Sequence, residues 1–112
     1  MKLKIRRVIL FTSQMDAMTA FYRDVLGLKV AGSEDGWIDF DAGECRLSLH
    51  ADGGKIGKRS PKIVFHSSDV PAARAFVVKR GAKMGRVISA KTFDMCNGTD
   101  PDGNRFQLSS RP

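Results

Sequence analysis

The sequence predicts an α+β fold: two βαβββ modules in one chain, forming curled mixed sheets around a cleft. Three observations carry this. Short runs of alternating apolar and polar residues recur, and the period switches to helical spacing in two places. The order strand–helix–strand–strand–strand occurs twice. A stretch rich in glycine and lysine, 51–61, separates the two halves. The single domain of residues 1–112 thus divides into module one (1–50), a linker (51–61) and module two (62–112).

Residues 3–11 read as the first strand, with Arg7, Ile9 and Phe11 on one face. From Asp16 to Leu26 the spacing of Met18, Phe21, Tyr22, Val25 and Leu26 is helical, and Gly27 supplies the stop. Leu28 to Ala31 is extended, and residues 32–36 form a turn. Trp37 to Phe40 and Cys45 to His50 are strands flanking the Asp41-Ala42-Gly43 turn. Trp37 and Asp39 lie opposite Ile38 and Phe40; Arg46, Ser48 and His50 lie opposite Cys45, Leu47 and Leu49.

Lys62 to Ser67 opens the second half, with Lys62, Val64 and His66 on one face. Asp69 is the expected N-cap of a helix with Pro71 in its first turn. That helix, Ala72 to Arg80, is expected to bury Ala75 and Phe76, and Val77 and Val78 in part, before Gly81 stops it. Strands are expected at 86–89, 92–96 and 105–109. Asp100-Pro101-Asp102-Gly103 is a turn by mechanism, because proline presets its φ and glycine accepts a positive one. It feeds a strand with Arg105 and Gln107 opposite Phe106 and Leu108.

With 42% hydrophobic and 28% charged residues and no apolar run near the roughly 20 residues of a membrane span, the chain reads as soluble. Lys2, Lys4, Arg6 and Arg7 precede no signal-peptide h-region, so a cytoplasmic location is expected. Cys45 and Cys96 have no CxxC spacing and read as reduced thiols; Cys96 is also considered as a cavity thiol. The net charge of +7 raises nucleic acid as a partner. Basic residues are spread along the chain, however. The dense stretch Lys55 to Arg59 lacks interleaved aromatics, so the reading disfavours nucleic acid.

Two stretches, Phe21-Tyr22-Arg23-Asp24-Val25-Leu26-Gly27-Leu28 and Gly98-Thr99-Asp100-Pro101-Asp102-Gly103-Asn104-Arg105-Phe106-Gln107-Leu108, in this paired order, resemble the vicinal oxygen chelate superfamily. That superfamily includes glyoxalase I, the extradiol dioxygenases and the bleomycin resistance proteins. The resemblance implies sheets curled around a cavity and a homodimer. In metal-dependent members it implies four histidine or glutamate ligands, on the first and last strands of each module. Here those positions fall on Arg7, Ser48, Lys62 and Gln107. Arginine stays protonated in proteins and lysine is a poor ligand near neutral pH, so the expectation is no metal and no cofactor.

Arg7 and Lys62 read as an anion site with Ser48 and Gln107, as parts of salt bridges to Asp39 or Asp94, or as simply exposed charges. Trp37, with Phe11 and Ile9, reads as an apolar wall for an aromatic ligand, or as packing surface. His50 and His66 complete the candidate ligand-binding residues. The leading expectation is a protein that binds a small, anionic or neutral molecule. The alternative is a divalent-metal lyase, isomerase or dioxygenase with ligands displaced to His50 and His66, aided by Asp39 or Asp94. The catalytic residues of such an enzyme are not identifiable from the sequence.

Overall fold

The computed structural model describes residues 5–51 and 62–112. The chain forms two compact units, residues 1–56 and 57–112; the first carries a βαβββ order and the second the same order with one additional short strand after its helix. Of the linker expected at 51–61, Ala51 ends a strand and the remainder lies outside the described residues, as do residues 3 and 4 of the expected first strand.

In the first unit β1 (Arg7–Thr12) leads to α1 (Met15–Ala20), a π-helical segment (Phe21–Val25), β2 (Lys29–Glu34), β3 (Trp37–Asp41) and β4 (Arg46–Ala51). The sheet order is β1-β4-β3-β2, with β1 parallel to β4 and the other pairs antiparallel. The first and last strands of the unit are therefore neighbours. The helix expected over 16–26 changes its winding at Phe21. Leu26 N–H donates to Phe21 O, five residues back, at 3.0 Å, and Leu28 N–H donates to Tyr22 O at 2.9 Å. The wider turn turns both Phe21 and Tyr22 inward, and Gly27 closes it at φ 76°. Tyr22, Phe40, Met18 and Leu49 form the centre of this core, each essentially without solvent contact. Burial of a side chain of this size stabilises by about 1.5–3 kcal/mol. The turn expected at 32–36 is shorter: β2 runs on to Glu34 because a bulge between Val30 and Gly32 re-registers it against β3.

The second unit repeats the plan with β5 (Ile63–His66), α2 (Val70–Lys79), β6 (Lys83–Met84), β7 (Ile88–Ser89), β8 (Asp94–Thr99) and β9 (Arg105–Ser109). The order is β5-β9-β8-β6, β5 runs parallel to β9, and β7 also pairs with β8. Asp69 caps α2, its carboxylate accepting from Ala72 N–H at 3.0 Å, as its position before Pro71 predicts. The face of α2 differs from the expected one. Val70 and Val77 are buried, seven residues apart on one stripe, whereas Ala75, Phe76 and Val78 are exposed. Phe76 is instead covered by Arg80, whose guanidinium lies 3.5 Å from its ring centroid.

The strand expected at 86–89 shortens to β7 at 88–89, and β6 at 83–84 is a strand that the sequence reading did not expect; between them Gly85 N–H donates to Asn97 O at 2.8 Å. The strand expected at 92–96 instead occupies 94–99. Asn97-Gly98 has turn-like composition, but pairing on both sides keeps it extended. Cys96 is fully buried on the same sheet face as Phe106 and Leu108, and its thiol contacts Gly85 O at 3.1 Å. It is a core residue, not a cavity thiol, and burial pushes its pKa up. The Asp100 turn joins β8 to β9 as the sequence predicts, with Gly103 at φ 82°.

Candidate functional site

Each sheet presents a second face, opposite the one that packs on its helix. In the first unit, strand register aligns Arg7, Ile9 and Phe11 with Arg46, Ser48 and His50, and these with Asp41, Asp39 and Trp37. Arg7 reaches across two strands. Its Nε donates to Asp39 Oδ1 at 3.2 Å and to Ser48 Oγ at 3.0 Å, and its Nη2 donates to Asp39 Oδ2 at 3.1 Å. Ser48, fully buried, donates its hydroxyl to Asp39. The two-pronged pair fits the planar guanidinium to the carboxylate. Of the alternatives for Arg7, the geometry realises the ion pair with Asp39, though a third of the Arg7 side chain remains solvent-exposed (33%).

The Arg7 hydrogen bonds hold the Asp39 carboxyl below the usual carboxylate range, with further help from Ser48 and Arg46 and against the opposing cost of burial. A carboxyl with a depressed folded-state pKa contributes stability that is present above its unfolded value and lost as pH falls through the folded one. Asp39→Asn should therefore flatten the acid limb of the stability–pH curve, measured by denaturant unfolding between about pH 6 and pH 2. An unchanged limb would mean that the pair adds nothing to folding.

Three rings flank this group. His50 lies 5.9 Å from Trp37 edge-on and 5.4 Å from Phe11, and the Arg7 guanidinium lies 5.4 Å from the Trp37 centroid. The structure thus brings Arg7, Ser48, Trp37 and His50 onto one face, with exposed Ile9 and Phe11 beside them.

In the second unit the corresponding face carries Val64 and His66 of β5, Arg105, Gln107 and Ser109 of β9, and Met95, Asn97 and Thr99 of β8. Gln107 Nε2 donates to Asn97 Oδ1 at 2.9 Å, and Lys62 Nζ approaches the same oxygen at 3.5 Å. Lys62 and Gln107 therefore meet at Asn97, which the sequence reading did not single out. His66 stands opposite Ser109, toward the other end of the face from Arg105. A recess of about 300 Å³ opens on the Arg105 end, lined by Lys62, Lys83, Gly85, Asn97, Gly98, Thr99 and Arg105. Lys83, Asn97 and Thr99 fell outside the strands expected from sequence. The alternation Met95, Asn97, Thr99 running into the Asp100 turn is the signal that could have included the last two.

As donors, Arg7, Ser48, Lys62 and Gln107 offer a guanidinium, a hydroxyl, an ammonium and an amide, a set poorly suited to a divalent ion. Among the described residues, no three His, Cys, Asp or Glu side chains gather as a metal-holding group. No helix among them is long and apolar enough to cross a membrane.

The fold has many relatives among solved structures. An antibiotic binding protein, TnmS3 from Streptomyces sp. CB03234, superposes with a TM-score of 0.83 at 18% identity, over 96% of this chain and 94% of that one. A lactoylglutathione lyase from Agrobacterium tumefaciens gives 0.79 at 22% identity, over 95% and 92%. An integron cassette protein from the mobile metagenome of V. cholerae gives 0.76 at 23% identity, over 97% and 96%. At such identities the likeness concerns the fold. No curated protein matches the sequence. A family model spanning residues 4–108 does match, taking in the helix and strands of both units, and on that evidence the chain belongs to the Glyoxalase/Bleomycin resistance protein/Dioxygenase superfamily.

Proposed function

We propose that this chain is a small-molecule binding protein of the glyoxalase/bleomycin resistance type that works without the metal centre of the metal-dependent members. The observation that carries the reading is the side-chain chemistry at the four positions where the family resemblance implies ligands. Arg7 is paired with Asp39 and bonded to Ser48, and Lys62 and Gln107 converge on Asn97. None of the four is a histidine or a carboxylate. The name of one structural relative, an antibiotic binding protein, supports ligand capture as a use of this fold.

In the first unit the ligand-facing residues are Arg7, Ser48, Trp37 and His50, where the rings supply an apolar wall and Ser48 orients Arg7. In the second they are Lys62, Gln107 and His66. A homodimer in the cytoplasm belongs to the same reading.

Metal analysis of the purified protein, followed by titration with zinc, nickel, manganese and iron(II), tests it. The expected result is no stoichiometric ion and no saturable uptake. About one ion per chain, lost in His50→Ala or His66→Ala, would replace this reading with that of a metal-dependent enzyme using displaced ligands.

A further inference from the structure

Positive charge on the second sheet that forms no ion pair among the described residues is arranged in a line. Lys83 of β6 stands directly opposite Thr99 of β8, which stands opposite Arg105 of β9. Ile63 pairs with Phe106, so the same register carried back one residue sets Lys62 beside Arg105. Three cations thus occupy one transverse row of four strands, with Thr99 the only neutral member. Neighbouring strands are about 4.8 Å apart, so the Lys83 and Arg105 backbones stand roughly 10 Å apart on either side of Thr99. Long side chains from both can converge over a hydroxyl between them.

Among the described residues, no acid pairs with the row. The recess that Lys62, Lys83 and Arg105 line has no aspartate or glutamate in its wall. Among the described residues the ion pairs join Arg7 to Asp39 and Arg23 to Asp24, and none involves these three cations. The contrast with the first unit is direct, since there the equivalent face pairs Arg7 with Asp39. Like charges in cross-strand rows destabilise a sheet, and a bound anion relieves that cost. The uncharged lining also supplies donors. Asn97 already accepts from Gln107 and Lys62 through Oδ1, which leaves its amide nitrogen to donate, and Thr99 adds a hydroxyl.

We infer that this recess binds the phosphoryl group of a small molecule, held by Lys62, Lys83 and Arg105 with Asn97 and Thr99 as neutral donors. A phosphoryl group carries about −1.5 to −2 charges near neutral pH, against −1 for a monocarboxylate, and so matches a three-cation row better. A volume of about 300 Å³ holds that group and the first atoms of its carrier. The inference rests on the small-molecule reading above and names the ligand class for its second-unit face.

Backbone amide NMR shifts during titration of the full chain with inorganic phosphate, and separately with acetate, test it. Phosphate should produce saturable shifts centred on Asn97, Thr99 and Arg105, at least about tenfold tighter than acetate. Lys83→Gln and Arg105→Gln should each weaken phosphate by about tenfold, while Lys91→Gln, an exposed lysine outside the recess, should leave it unchanged. All three side chains are exposed, so retained peak dispersion reports that each variant is folded. Absence of saturable shifts, or equal losses in Lys91→Gln, would overturn the site. So would tight binding of a DNA duplex with steep salt dependence that phosphate does not displace, because that marks a polyanion surface. Should phosphate fail while a neutral aromatic compound still binds at Trp37 and His50, the inference falls and the broader binding reading stands.

Discussion

Replacing Asp100 by alanine should destabilise the protein by about 3 kcal/mol, read as a lower denaturant midpoint. Asp100 is 5% exposed and sits at the head of the turn between β8 and β9. Its Oδ1 accepts from the backbone N–H groups of Asp102 at 2.9 Å and Asn104 at 2.8 Å. Its Oδ2 accepts from the side-chain amide of Asn104, itself buried, at 2.8 Å. Truncation leaves three donors without this acceptor in a place water reaches poorly, and each such group costs about 1–3 kcal/mol. Asp100→Asn should cost less, about 1–2 kcal/mol, because an amide oxygen still serves the backbone donors while its nitrogen faces the Asn104 amide. Equal midpoints for wild type and Asp100→Ala would show that the backbone turn closes by itself through the Gly103 N–H to Asp100 O bond at 2.9 Å.

Gly98→Val should also destabilise by about 3 kcal/mol, through overpacking rather than a lost bond. Gly98 is buried in mid-strand, paired with Met84 on one side and Phe106 on the other. A Cβ there would collide with Met84 Sδ and come within 2.9 Å of Phe106 Cζ and 3.1 Å of Lys83 O. The methionine sulfur can swing aside, but Phe106 is fully buried and the Lys83 carbonyl is backbone. Thermal unfolding of Gly98→Ala and Gly98→Val should give a graded loss, with valine the worse. Since Asn97 and Thr99 flank this residue, phosphate affinity should fall in the same order. A valine variant as stable as wild type would mean that β6 moves away freely from β8.

Much of the architecture is legible because its determinants are local. Alternation at Arg46 to His50 and at Arg105 to Ser109 reports strands wherever they end up in space. Asp69-Val70-Pro71 announces a helix start, and Asp100-Pro101-Asp102-Gly103 a turn, since each motif satisfies its own backbone groups. The misreadings have non-local causes. The strand expected to stop at Cys96 runs on to Thr99 because β6 and β9 pair with it, and Phe76 looks like core until the phase of α2 places Val70 and Val77 against the sheet.

The candidate sites divide in the same way. Strand parity in the sequence puts Arg7 and Ser48 on polar faces, and Lys62 and Gln107 likewise. It does not say which charge meets which. Asp39 becomes the partner of Arg7 because β3 lies beside β4 and β4 beside β1. Lys83 joins Lys62 and Arg105 because β8 carries Thr99 between them. The sequence by itself therefore determined the order of elements, the polar face of each strand and the two-module plan, all of which follow from short-range periodicity and turn chemistry. The tertiary structure alone decided that the first sheet pairs Arg7 with Asp39 while, among the described residues, Lys62, Lys83 and Arg105 of the second form no ion pair. Strand register joins residues tens of positions apart, and no local pattern encodes that pairing.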